Sequence, residues 1–564
     1  MKKPIDHSPL LLPTLFFLIG LIIAFCTPIH TSFFFWGSAA VICSVLFLRR
    51  RKKLPFFQTI LILMLFLFLG MLRLSMSLPQ SAISKKEAAI LHVEILEVIN
   101  PHSFLVSLPN THSLNQNFNL HCEPTSSLFP GDELTILGIV SPLPSPSALK
   151  SFNPQSFFNS KNCYAQIEAV RILAQPHQPK LLTYFAQAQH DLANMFNRFL
   201  SDSSEAGIMK ALVLGNTQDL SFESKTQFAN AGISHILAVS GMHVALVCQL
   251  VKAAMNALFR RKRRKGMYLL LGATAVWTFA AITGFSASVT RAAFMMTFFV
   301  VIDAMQWRYA KTNVVAGSIL LLGVYDPFLF KQLGFQLSLA AVLGILYIYP
   351  KVKFHVSKRK WVQFSVDFCL VSLVAQVATL PITLLTFHTF PTYFLLANII
   401  CVPLSTALIY AGIALLCLSS IPLLNHAIAE LIHALLYLFN ETVHQINQLP
   451  LLKLTNIPFN ATQALLFLIG LTCFIVAFEY RWKVFSRLAL TSITFALAFQ
   501  FRSHPPLLEP NLIEDQYHVH LFVRSNHRLP KKLMQLTTYL ETNRIHKSIE
   551  VHLIPPYHTC EIST

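Results

Sequence analysis

Runs of about 20 apolar residues, separated by clusters of lysine and arginine, decide what this sequence can fold into. A helix needs roughly 20 such residues to cross a bilayer, and only helices and closed barrels satisfy their own backbone there. Three runs open the chain, at about 10–26, 31–48 and 55–74. Further runs lie at about 235–259, 267–285, 292–307, 313–330, 333–350, 364–388, 393–420, 462–479 and 486–501. A more polar helix at 423–442 carries His426, Glu430 and His433. It either crosses facing a pore or lies on the surface. If it does not cross, 393–420 is expected to be a hairpin broken around Pro403. Only 12% of the 564 residues are charged, about half the usual share for a globular protein. With 54% apolar residues, disorder is excluded over most of the chain.

The net charge of +19 needs an explanation, because it could signal nucleic acid, an anionic membrane or membrane topology. Arg49-Arg50-Arg51-Lys52-Lys53 follows the second run, so the positive-inside rule puts it and the N-terminus in the cytoplasm. Lys2 and Lys3 before the first run resemble a signal peptide. No clear small-residue cleavage site follows and a second span comes almost at once, so the run is expected to remain as an anchor. Alternating sides then places every later basic cluster in the cytoplasm: 260–265, 308–311, 351–360 and 481–487. The six cytoplasmic stretches hold 23 basic residues and one acid, Asp6, which leaves the rest of the chain at −3. The excess charge therefore orients the spans and is no footprint of nucleic acid.

Residues 77–175 break the pattern. Short alternating stretches, Leu91–Ile99, Ser103–Leu108, Glu133–Val140 and Tyr164–Ile172, are punctuated by Pro101, Pro109-Asn110 and Pro130-Gly131-Asp132. This predicts a small β domain, a five-stranded barrel, outside the cytoplasm. Five basic and seven acidic residues give it no basic stripe, so its charge does not argue for DNA binding. Cys122 and Cys163 lie in this domain, and an oxidising compartment predicts one disulfide between them, the alternative being two free thiols. The tail, 502–564, reads as strand, helix, strand over Tyr517–Val523, Lys531–Leu540 and Ser548–Ile554. His518 and His520 share a strand face without a third ligand, so a structural role is expected and no metal site.

Polar side chains inside apolar spans are costly and usually face a cavity or a partner helix. The densest stretch is Gly232 to His243, with Ser234 and His235 at the outer mouth of its span. On a helix Ser240 and His243 lie three apart on one face, and Gly241 permits close approach or a break. Three readings compete: helix packing, a substrate pathway, and a Ser240 nucleophile like that of intramembrane serine proteases. The last lacks a glycine two residues before the serine, where Ala238 stands. Arg291 after Ser286, Ser288 and Thr290, Asp326 before Pro327, Gln336 with Ser338, Gln376 and Thr379 before Pro381, and Asn398 before Pro403 extend the set. One arginine among neutral amides and hydroxyls at helix breaks suits passage of a hydrated anionic polymer without tight retention.

The stretch Phe228 to Val244, FANAGISHILAVSGMHV, closely resembles the signature of the ComEC competence-protein family, which forms the cytoplasmic-membrane channel for DNA uptake. Supporting segments run from Ser288 to Arg291-Ala292, from Asp326-Pro327 to Ser338, from Gln376 to Pro381 and from Asn398 to Pro403. Phe152-Asn153-Pro154 to Phe157 is similar to the family's segment ahead of the last strands of the insert, and the likeness covers roughly 80–500. Asn216-Thr217 depart from the acid and base usual after Leu214-Gly215. The family's C-terminal metallo-β-lactamase-like metal motif is absent, so the resemblance implies a channel without its own nuclease, not an enzyme.

The expected fold is a polytopic α-helical membrane protein with a small extracytoplasmic all-β insert, OB-like by resemblance. The expected divisions are 1–76 (three spans), 77–175 (insert), 176–230 (amphipathic and linker helices), 231–501 (channel) and 502–564 (tail). The expected function is passage of single-stranded DNA across the cytoplasmic membrane, with His235, Ser240, Gly241, His243, Arg291, Asp326, Gln336, Gln376 and Asn398 as pathway candidates. No phosphate-binding Gly-x-x-x-x-Gly-Lys run occurs and no cofactor is expected. The resemblance implies a cytoplasmic ATP-driven translocase and an outer DNA receptor as partners, besides membrane lipids, and allows a homo-oligomer. Transport of another anion, a lipid or cell-wall precursor, and an intramembrane hydrolase are the alternatives.

Overall fold

The computed structural model describes residues 10–26, 34, 37–38, 41, 55–77, 87–100, 102–108, 117–123, 128–143, 154–174, 180–200, 202–258, 264–305, 311–356, 359–455, 457, 459–480, 491, 511–514, 518–523 and 548–553. The expected spans at 31–48 and 486–501 and the tail helix at 531–540 fall outside these residues or nearly so. The chain divides into two compact units, one of residues 1–145, 153–383 and 389–455, the other of 146–152, 384–388 and 456–564.

The first unit opens with helices α1 (Leu11–Cys26) and α2 (Pro55–Ser75), packed along each other. A Cβ added at Gly20 would strike the Leu67 carbonyl, and one at Gly70 the Phe17 carbonyl. Small residues here let two apolar helices approach to backbone contact, which is how helices associate without a hydrophobic driving force between them.

The insert is a closed five-stranded barrel of β1 (Glu87–Asn100), β2 (Ser103–Ser107), β3 (Asn117–His121), β4 (Glu133–Pro142) and β5 (Cys163–Ala174), with a short helix α3 (Pro154–Asn159) before β5. Strand order around the barrel is β1-β2-β3-β5-β4, and β3 with β5 is its parallel pair. Alternate side chains of each strand, among them Val93, Ile95, Phe104, Val106, Leu120, Leu134, Ile136 and Ile167, fill the interior. Closure removes the sheet edges that would otherwise invite pairing with other chains.

The expected disulfide does not form. Cys122 and Cys163 are both buried and unbonded. The register pairs Cys163 with Asn117, at the opposite end of β3 from Cys122. Five strand residues put roughly 16 Å between them, where a disulfide needs Cα atoms within about 7 Å. Burial pushes the thiols up to about 11 for Cys122 and about 12 for Cys163, so both stay protonated and inert.

Helix α4 (Leu181–Phe199) ties the barrel to the helical core. The β1–β4 register sets Glu94 opposite Glu133, a like-charge pair, and Lys180 bridges both carboxylates at 2.7 and 2.9 Å. Those two hydrogen bonds raise the Lys180 ammonium above its ordinary range. Thr183 Oγ1 donates to the Pro130 carbonyl at 3.4 Å, and one face of α4 buries Ala193 and Phe196 in the core. Next come α5 (Ser203–Met209), a π turn at Lys210–Leu214, α6 (Phe222–Asn230), the short α7 (Ser234–Leu237), and then α8 (Gly241–Leu258), α9 (Arg264–Ile282), α10 (Ala287–Met305) and α11 (Lys311–Tyr325). The predicted single span at 235–259 is thus two helices, interrupted at 238–240.

Among the described residues four helices are long and apolar enough to cross a membrane. The first is Leu333–Val352, built of α12 (Leu333–Leu343), a π turn and α13 (Tyr349–Val352). The others are α14 (Lys360–Phe387), α15 (Phe394–Leu418) and α16 (Pro422–Asn447). Pro403 lies inside α15, which runs on without a break, so the hairpin reading of 393–420 is corrected. The structure accommodates the missing amide donor in place, as apolar spans commonly do. α16 buries Ile432, Leu436, Phe439, Val443 and Ile446. Their spacing of four and three makes a single stripe, and it packs on α15. Two short strands, β6 (Phe390–Pro391) and β7 (Lys453–Leu454), pair beyond the ends of these helices.

The second unit holds α17 (Ala461–Tyr480) and a three-stranded sheet of β8 (Asn511–Glu514), β9 (His518–Val523) and β10 (Ser548–Leu553), in the order β10-β9-β8. β9 and β10 are parallel, as a helix-length connection between the two expected strands allows.

Candidate functional site

The break at 238–240 has a local cause. Ala238 is extended, at φ −83° and ψ 123°, and Ser240 then caps α8. Its Oγ accepts the Met242 N–H at 3.3 Å, while its own N–H donates to His243 Nδ1 at 3.1 Å. This is the reciprocal arrangement of a capping box, with histidine in the place of the usual Glu or Gln at the third position. Because Nδ1 accepts from a backbone N–H, His243 is the neutral tautomer with its proton on Nε2. His243 is 1% exposed, and Nε2 has no hydrogen-bond partner among the described residues.

Ser240 Oγ lies 3.2 Å from the same Nδ1. The lone pair there is already shared with the Ser240 backbone N–H, which leaves a poor base for activating the hydroxyl. Gly241 is not needed for close packing, since an added Cβ would meet Ala292 Cβ at an ordinary 3.7 Å. The glycine of this motif with a conformational role is Gly232. It has φ +79°, and a Cβ there would sit 2.8 Å from Pro391 Cγ and 2.9 Å from Phe394 Cβ. His235 is exposed on the short α7.

Arg291, one turn into α10, is 4% exposed. Its Nη2 donates to the Gly334 carbonyl at 2.8 Å, and Cζ stands 5.5 Å from the centre of the Phe335 ring. Gln336 Nε2 donates to the Phe330 carbonyl at 2.8 Å. Asp326 shapes the turn that starts α12: Oδ1 accepts the Phe328 N–H at 2.9 Å and Oδ2 accepts Gln332 Nε2 at 2.7 Å. Arg73 of α2 caps the preceding helix, donating to the Val324 and Tyr325 carbonyls at 2.6 and 3.1 Å.

The starts of α8 and α12 therefore both pack against the N-terminal part of α10. α8 touches α10 where Gly241 faces Ala292, and α10 touches α12 through Arg291 and Gly334. Helix N-termini carry partial positive charge and unsatisfied amides, so this junction favours an anion. These contacts bring Ser240, Gly241 and His243 on α8 and Arg291 on α10 to it, while Asp326 and Gln336 bond within the turn that leads into α12 and its first residues. Gln376 on α14 and Asn398 on α15 stand on other helices, and no hydrogen bond joins either to the junction among the described residues. Asn398 is 8% exposed with Oδ1 unpartnered. No group of three or more His, Cys, Asp or Glu side chains able to hold a metal occurs among the described residues.

Two pairs, each of one buried and one exposed side chain, escaped the sequence reading. Lys210, in the π turn, pairs with Asp219 at 2.6 Å, and Glu205 pairs with His433 at 2.9 Å. The first carried a signal, an acid and a base nine residues apart around Gly215. The second joins positions 228 apart and carried none.

Residues 212–481 match the model of the Competence protein family. Over 232 residues the chain is 29% identical to "ComE operon protein 3" of Bacillus subtilis (strain 168). That match covers 40% of this chain and 28% of the relative, so the chain spans well under two thirds of the protein it resembles. No solved structure matches.

Proposed function

We propose, from the match of residues 212–481 to the Competence protein family, that this chain is the passage by which single-stranded DNA crosses the cytoplasmic membrane. The carrying observation is the junction of three helix N-termini around Arg291, a buried cation with no carboxylate partner among the described residues. A polyanion needs attraction without retention, and backbone dipoles with a single arginine supply that. The barrel, whose strand order and parallel β3–β5 pair fit an OB-like module, would stand outside the cytoplasm and receive the strand. The N-terminus and basic loops would face the cytoplasm. The energy source would be a separate ATP-driven translocase, and delivery would depend on an outer DNA receptor.

Labelled DNA supplied to a transformable strain lacking this chain tests the reading. Restoring the chain should restore nuclease-resistant label inside the cells, and unchanged uptake without it would refute the passage. Ser240→Ala separates the hydrolase alternative. Loss of a serine cap costs about 1 kcal/mol of stability, so uptake should persist. Complete loss of uptake in a folded Ser240→Ala chain would instead assign Ser240 a chemical role.

A further inference from the structure

Arg291 is a buried cation using little of its capacity. A guanidinium offers five donors, yet a single carbonyl, Gly334 O, accepts from it here, and Nε is buried without a partner. No carboxylate pairs with it among the described residues, and the Phe335 ring is its other compensation. Its setting adds to the cost, because it lies one turn into α10 and binds a carbonyl in the first turn of α12, near the positive ends of both helix dipoles. Burying an unpaired charge in that position is unfavourable unless an anion visits it.

We propose that Arg291 is the phosphodiester contact of the passage, an assignment that rests on the DNA-passage reading and deepens it. Nε–H and the outward Nη2–H leave one edge of the planar guanidinium together, the edge that grips two oxygens of a phosphate side by side. The Gly334 carbonyl accepts from Nη2, one of the two nitrogens of that edge. An arriving phosphodiester takes both donors, and the carbonyl is released in exchange. The α10–α12 seam thus loosens as a phosphate binds and closes as it leaves. Exchange of this kind keeps the dwell short, which a moving polymer requires. The contact recognises the backbone and is blind to the bases, so any single strand is a substrate.

The test uses the full chain reconstituted in phosphatidylcholine vesicles, with fluorescent single-stranded oligonucleotides of natural, abasic and uncharged methylphosphonate backbone. Entry is the label retained after gel filtration. Wild type should admit natural and abasic strands alike. Losing charge-assisted bonds, Arg291→Gln should lower entry of phosphodiester strands about tenfold or more while methylphosphonate entry stays within about twofold. Arg291→Lys, which keeps the charge without the fork and serves if Arg291→Gln fails to fold, should also lower the phosphodiester-to-methylphosphonate ratio. An unchanged ratio in the folded variants, or equal loss of all three strands, would overturn the contact and leave Arg291 a packing residue. Entry here runs down the oligonucleotide gradient and needs no translocase, so wild type that admits no strand would contradict the DNA-passage reading itself.

Discussion

Gly232→Ala should destabilise the chain by about 2–5 kcal/mol, read as a lowered thermal midpoint of the detergent-purified protein. Two terms add. A non-glycine residue at φ +79° costs roughly 1–2 kcal/mol, because its Cβ crowds the following carbonyl. The new carbon would also lie 2.8 Å from Pro391 Cγ and 2.9 Å from Phe394 Cβ, at the start of α15 where no flexible side-chain end can yield. Overpacking of that kind costs about 1–3 kcal/mol. Gly334→Ala is the control. No atom lies within 4 Å of its added Cβ, and helical alanine is favoured over glycine by up to about 1 kcal/mol, so stability should hold or rise. Equal behaviour of the two variants would contradict the assignment of Gly232 to a left-handed turn against α15.

Phe439→Ala should cost about 3–5 kcal/mol, the range for emptying a fully buried aromatic site. Phe439 is 0% exposed and packs at a tilt against Phe228 with ring centres 5.5 Å apart, joining α16 to α6 in the largest apolar core among the described residues. Its neighbour Leu438 is 52% exposed, and Leu438→Ala should change stability by no more than about 0.5 kcal/mol. The contrast tests the rotation of α16. If Leu438→Ala proved the more damaging, the stripe of Ile432, Leu436, Phe439, Val443 and Ile446 would not be the packed face.

Much of this was legible because periodicity and charge are local. The apolar runs located the helices, and alternation located four strands of the barrel. β3 escaped because it is short: its five residues hold only two apolar positions, Phe118 and Leu120, set among asparagines, which strands disfavour. Asn119 is buried with both ends of its amide bonded: Ser103 Oγ donates to Oδ1 at 2.7 Å from the neighbouring strand, and Nδ2 meets His121 Nε2 at 2.9 Å. The Gly232–His243 motif was visible, and a break was allowed at Gly241, but its place at 238–240 was not legible, since Leu237-Ala238-Val239 is continuously apolar. The interruption comes from the Ser240–His243 capping box, a hydrogen-bond pattern rather than a hydropathy pattern. The Arg291–Gly334 contact, 43 residues apart, is set by how α10 meets α12. The disulfide failed for a similar reason: compartment and cysteine count were sound premises, but strand register keeps the two sulfurs apart.

The most direct measurement of the central claim uses donor duplex DNA carrying a different label on each strand, given to a transformable strain with and without this chain. A passage for single-stranded DNA predicts that each internalised molecule carries one label only, and that nuclease-resistant label inside the cell disappears when the chain is deleted. Internal label unchanged by the deletion, or both labels recovered together as duplex, would contradict it.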